Sequence, residues 1–114
     1  MANIERIECG PRFSHAVIHN DIVYLSGVVS PGKTVRTQTK NILAGIDEVL
    51  ERAGTDKSKL LTATVWLTDL SKFDEMNSVW DQWVSPGHAP VRVCVEAKLA
   101  VPGFEVEIQV TAAR

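Results

Sequence analysis

The sequence has 114 residues, 45% hydrophobic and 23% charged. That balance fits one domain over residues 1–114 and excludes a disordered tail, a collagen-like repeat and a dense disulfide scaffold. No stretch approaches the roughly 20 apolar residues of a membrane helix. Twelve Lys+Arg against 14 Asp+Glu give a net charge of −2, without the basic excess or stripe of a nucleic-acid binder.

Met1 to Cys9 carries Glu5, Arg6 and Glu8 and lacks the apolar core of a signal peptide. Cys9 and Cys94 lie far apart and could pair, but the dense even cysteine count of a secreted scaffold is missing, so the expected setting is reduced and cytoplasmic. Ala16 to His19 and Ile22 to Val29 read as strands, joined in a tight hairpin by Asn20-Asp21 and closed off by Pro31-Gly32. Thr34 to Ala53 reads as a helix. Ile42, Leu43, Ile46, Val49 and Leu50 share one face, and Gly54 sits at a left-handed C-cap.

Leu61 to Thr68 alternates, with Leu61, Ala63, Val65 and Leu67 on one side and Thr62, Thr64, Trp66 and Thr68 on the other. Ser71 and Asp74 form an S-x-x-D start for a second helix with an apolar face of Phe73, Met76, Trp80, Trp83 and Val84. Asn77 falls on that face, and Pro86-Gly87 ends the helix. In the next strand Val91, Val93, Val95 and Ala97 oppose Arg92, Cys94, Glu96 and Lys98. After a Pro102-Gly103 turn, Phe104, Val106, Ile108 and Val110 oppose Glu105, Glu107, Gln109 and Thr111.

The expected fold class is α+β, with an antiparallel-rich mixed sheet, two helices on one face and a ferredoxin-like βαββαβ core. Two helices leave the second sheet face uncovered. Tyr24, Ser26, Thr64, Trp66, Arg92, Cys94, Glu107 and Gln109 are expected there, either solvated or forming a subunit interface.

Several residues on these strands could carry chemistry. Arg92, in a Val-rich strand after Pro90-Val91, needs an anion or water. It reads either as a carboxylate clamp for a small acid or as half of an ion pair with Glu107 or Glu105. Glu107 reads as a water-positioning or proton-relaying group or as a solvated carboxylate. Cys94 reads as a packed thiol beside Arg92. His15 and His19 have H-x-x-x-H spacing, but on a strand and with no third ligand, so no metal site is expected. His88 reads as a pocket-flanking or role-free loop histidine.

His88-Ala89-Pro90-Val91-Arg92-Val93-Cys94-Val95-Glu96 resembles the P-x-R-x-x-V-x signature of the RidA/YjgF family. Val23-Tyr24-Leu25-Ser26-Gly27, the run Thr64 to Leu70 with Phe73 and Met76-Asn77, and Phe104 to Val110 are similar to that family's other segments, in order along nearly the whole chain. The resemblance implies a chorismate-mutase-like fold and a homotrimer with ligand sites between subunits. It implies hydrolysis of enamine or imine intermediates, of the 2-aminoacrylate/2-iminopropanoate type, to 2-keto acids and ammonia, without cofactor or metal. By position, Arg92 would bind the substrate carboxylate and Glu107 would orient water or relay a proton. Ser26, Asn77 and Cys94 would line the pocket.

The chain departs from the family twice. Phe13 stands where the family has an active-site tyrosine, and Ser85 to Ala89 is short, as in a short-loop branch. Phe13 cannot hydrogen-bond substrate, and His88 is a candidate replacement for that polar group. A non-catalytic small-carboxylate-binding or regulatory member is the alternative. A ribonuclease or translation-inhibitor role, also attached to the family, is disfavoured by the missing basic patch. The expected partners are an imino or keto acid and other copies of the chain, with no nucleic acid and no membrane.

Overall fold

A computed structural model describes residues 3–114. Six strands form one sheet: β1 (Glu5–Cys9), β2 (Ser14–His19), β3 (Ile22–Leu25), β4 (Leu60–Leu67), β5 (Val91–Glu96) and β6 (Val106–Ala113). Two helices, α1 (Val35–Arg52) and α2 (Phe73–Trp83), complete the chain. Across the sheet the order is β1-β2-β3-β6-β4-β5. All pairings are antiparallel except β4 with β5, which α2 joins as a crossover.

The α+β class holds, but the inner order corrects the expected βαββαβ core. One strand, β4, lies between the helices, and two follow α2, giving β-α-β-α-β-β from β3 onward. The last strand then slots between β3 and β4.

Local chemistry explains the elements. Asn20 and Asp21 both adopt positive φ, 51° and 61°, as a two-residue hairpin turn demands. Thr34 caps α1 by accepting from the Thr37 N–H, and Gly54 takes φ +80° just past its end. Glu75 of α2 adds a carboxylate at the start of α1, accepting from the Arg36 N–H at 2.9 Å.

The S-x-x-D start is not used as expected. The Asp69 carboxylate accepts from the Ser71 N–H and caps a single 3-10 turn, Leu70–Lys72, from which α2 continues. β1 is unmarked in the sequence: it is an edge strand whose one inward apolar residue is Ile7 among charged neighbours. Leu61 is not in the inward row, because the β4–β6 register shifts between Leu60 and Thr62 and leaves Leu61 exposed.

Both helices pack on one face. Ile42, Leu43, Ile46 and Leu50 of α1 and Met76 and Trp80 of α2 bury against Val23, Leu25, Val65, Leu67, Ile108 and Val110. The buried Gln38 ties two loops to α1 through three backbone groups. Its amide donates to the carbonyls of Gly32 and Gly103 at 3.0 and 3.1 Å, and its carbonyl accepts from the Glu105 N–H at 2.8 Å.

Replacing Gln38 by Leu keeps the volume but leaves these three backbone groups unpaired in an interior where Gln38 is 1% exposed. The expected loss is about 3 kcal/mol, read as a lowered urea midpoint at unchanged slope.

Candidate functional site

The faces of β5 are the reverse of the expectation. Ala63, Val65 and Leu67 of β4 point to the helices, and the parallel register sets Arg92 beside Ala63 and Cys94 beside Val65. Arg92 and Cys94 therefore lie on the helix side. Val91, Val93 and Val95 lie on the open face with Thr64 and Trp66, and Val91 and Val93 are 69% and 58% exposed. Alternation gives two faces without saying which is inward, and at this rim the sheet extends past the core.

Arg92 is half-buried against α2. Its Nη1 donates to Asn77 Oδ1 at 2.8 Å. The guanidinium carbon lies 5.1 Å from the Trp80 ring centre and 5.8 Å from that of Phe73. Among the described residues no carboxylate lies within ion-pair distance of it, so the alternative of an ion pair with Glu107 or Glu105 is absent. One amide acceptor leaves most of the five N–H donors of a guanidinium available. Cys94 is adjacent on the same face. Burial pushes its thiol up, and the smaller opposing effect of Arg92 does not cancel that.

A second group forms at the other end of the sheet. From Tyr24 to Val28 the chain advances four residues while its partner β6 advances three, from Thr111 to Ile108. The extra residue bulges Ser26-Gly27 out of the ladder, which ends β3 at Leu25 rather than Val29. Gly27 lets the Glu107 carboxylate lie against the backbone: a Cβ there would push that carboxylate aside. Phe13, 61% exposed, lines a cleft of about 360 Å³ with Ser26, Gly27 and the α1 residues Gly45 and Val49.

Glu107 stands on the open face beside Trp66, with Val95 beyond it. Two strand spacings across and three residues along set its Cα roughly 14 Å from that of Arg92. The two side chains point to opposite sides of the sheet. Within one protomer the candidate residues thus form two groups, Arg92–Asn77–Cys94, and Phe13–Ser26 in the cleft with Glu107 beside its Gly27.

His88 belongs to neither group. It is exposed in the turn after α2, with Nδ1 3.0 Å from the Pro86 carbonyl oxygen. Its charge contributes weakly to holding Asp56 below the usual carboxylate range, an effect dominated by hydrogen bonds from Ser58. One group beside Phe13 was not legible in the sequence as part of the site: His15, 3.1 Å from Glu8. Finding it requires the β1–β2 register.

No helix among the described residues is long and apolar enough to cross a membrane. The profile of the family described as Endoribonuclease L-PSP matches residues 3–114. A RutC family protein from Haemophilus ducreyi is 45% identical over 112 residues, covering 96% of each chain. The RutC family protein YoaB from Escherichia coli K12 is 47% identical over 111 residues, covering 96% of this chain and 97% of that one. The crystal structure of NMB1025, a YjgF family member from Neisseria meningitidis, superposes with a TM-score of 0.97 at 44% identity, covering 98% and 95% of the two chains. With a near-complete profile match, relatives above 40% identity and a shared chorismate-mutase-like fold, the chain belongs to the YjgF/RidA/RutC family.

Proposed function

We propose that the protein hydrolyses enamine and imine intermediates of the 2-aminoacrylate/2-iminopropanoate type to 2-keto acids and ammonia, with no cofactor. The observation that carries this reading is Arg92: a half-buried guanidinium held by a neutral amide and two aromatic rings, with no carboxylate among the described residues within ion-pair distance. Such a cation suits a small carboxylate, taken bidentately.

The enamine first becomes the imine, its CH2 carbon gaining a proton as the amino group gives one up, and a carboxylate fixed at Arg92 leaves the adjacent C=N carbon to be attacked by water. The C–O bond forms, the C=N pair passes to nitrogen, and the nitrogen takes a proton. Collapse of the carbinolamine then releases ammonia and the keto acid. Glu107 orients the water or relays the proton. Ser26, Asn77 and Cys94 shape the pocket.

The separation of Arg92 from Glu107 supports a site completed by a second copy, one protomer giving the Arg92 group and its neighbour the Phe13–Ser26–Glu107 group. The exposed valines of β5 and Tyr24 on the uncovered face supply an apolar surface for a homotrimer. The two cysteines, both free, suit a cytoplasmic setting. Phe13, having no hydroxyl, favours a second reading, a small-carboxylate-binding or regulatory protein without turnover.

The test generates 2-aminoacrylate in situ with a dehydratase and follows keto-acid release. Arg92→Ala is expected to lower kcat/KM by about 100-fold, the loss of charge-assisted hydrogen bonds worth ~3 kcal/mol. Wild-type protein that binds pyruvate through Arg92 but leaves release at the buffer rate establishes the binding reading instead.

Arg92→Ala and Glu107→Gln are each expected to be nearly inactive as pure proteins. Co-assembled in equal amounts, they should regain about a quarter of wild-type activity, the random share of sites that draw both intact residues from different copies. No recovery on mixing means that both residues act from one copy.

A further inference from the structure

The residues assigned above leave unused a titratable cluster beside Phe13. Glu8 of β1 stands opposite His15 of β2, in the register that pairs Ile7 with Ala16 and Cys9 with Ser14. Glu8 has φ +49°, the left-handed region that non-glycine residues seldom occupy and that clusters at functional sites. Its two oxygens meet different partners: Oε2 lies 3.1 Å from His15 Nδ1, and Oε1 accepts from Arg52 Nη1 at 3.0 Å.

Arg52, in the last turn of α1, thus holds the carboxylate that stands beside the imidazole. With Nδ1 facing Glu8, Nε2 is available for another partner. The ring also stacks on Phe13, centroids 6.1 Å apart and planes at 21°. The His15 carbonyl accepts from the Ser26 N–H at 3.0 Å. His15, Glu8, Phe13 and Ser26 line the same cleft, with Arg52 and Glu48 the charged groups facing it from α1.

We propose that His15, oriented by Glu8, is the proton shuttle of the site, beside the Phe13 ring that offers no hydroxyl. The inference rests on the imine-hydrolysis reading and divides its labour: Glu107 orients the water and His15 moves the protons. Neutral His15, its Nδ1–H donated to Glu8, accepts at Nε2 the proton lost by water as the C–O bond forms. It returns that proton to the substrate nitrogen. In the second step it carries the carbinolamine hydroxyl proton to the same nitrogen as the C–N bond breaks and the C=O bond forms. Imine and water become keto acid and ammonia, and the imidazole ends as it began.

Turnover of in-situ 2-aminoacrylate is compared across pH for wild type, His15→Gln and Glu8→Gln. His15→Gln should lose about 100-fold in kcat with KM little changed, as expected for a lost general acid–base, and should lose one limb of the wild-type pH profile. Glu8→Gln, which still accepts from Nδ1, should lose about 10-fold. In wild type, pyruvate should shift the His15 ring resonances in nitrogen-15 NMR, and in Arg92→Ala it should not.

His15→Gln with wild-type kcat and an unchanged pH profile overturns the inference alone. So does pyruvate that binds through Arg92 without moving the His15 resonances. Wild-type protein that neither hydrolyses the imine nor binds pyruvate removes both the inference and the reading beneath it.

Discussion

Two helices cover one face of a six-stranded sheet, and the rest of the molecule follows from that asymmetry. The core needs apolar residues at alternate positions on the covered face, supplied by β3, β4 and β6. At β5 the covered face runs out under α2, so a charged residue there reaches the rim while its guanidinium lies against aromatic rings. The apolar positions of β5 fall on the other side, where none of the described elements covers them. One parity rule thus yields both a half-sheltered cation and an exposed row of valines.

The second group depends on a different device. A single extra residue between Tyr24 and Val28 lifts Ser26-Gly27 out of register, and a glycine there lets the Glu107 carboxylate approach the backbone. The same interruption opens the cleft between the strand ends and α1, where Phe13 and His15 stack. Rigid elements hold both groups: Arg92 by a β-ladder and α2, Glu107 by a central strand. What separates them is sheet geometry, which side-chain motion does not change.

Much of this was legible in the sequence. Asn20-Asp21 marked its hairpin because few residues tolerate positive φ at two successive positions. Thr34 and Gly54 bracketed α1, and the segment around Pro90 and Arg92 carried the family resemblance. β1 was hidden because a charged edge strand with one inward isoleucine has no period to read. The facing of β5 was hidden because alternation does not say which set is buried; that depends on its parallel partner. The Leu61 and Ser26-Gly27 irregularities are properties of pairs of strands, as is the meeting of Glu8 with His15. Gln38 looked like any polar helix residue, and its burial follows from loops that converge on it from distant parts of the chain.

The last strand is also the middle one. β6 lies between β3 and β4, so residues 106–113 join a hairpin half, β1-β2-β3, to a crossover half, β4-β5. Until that strand exists neither half has a complete sheet, and the α1 core has only part of the surface it packs on. Folding is therefore governed by non-local closure. During synthesis β3 and β4 each lack one strand partner until β6 is available to pair with both.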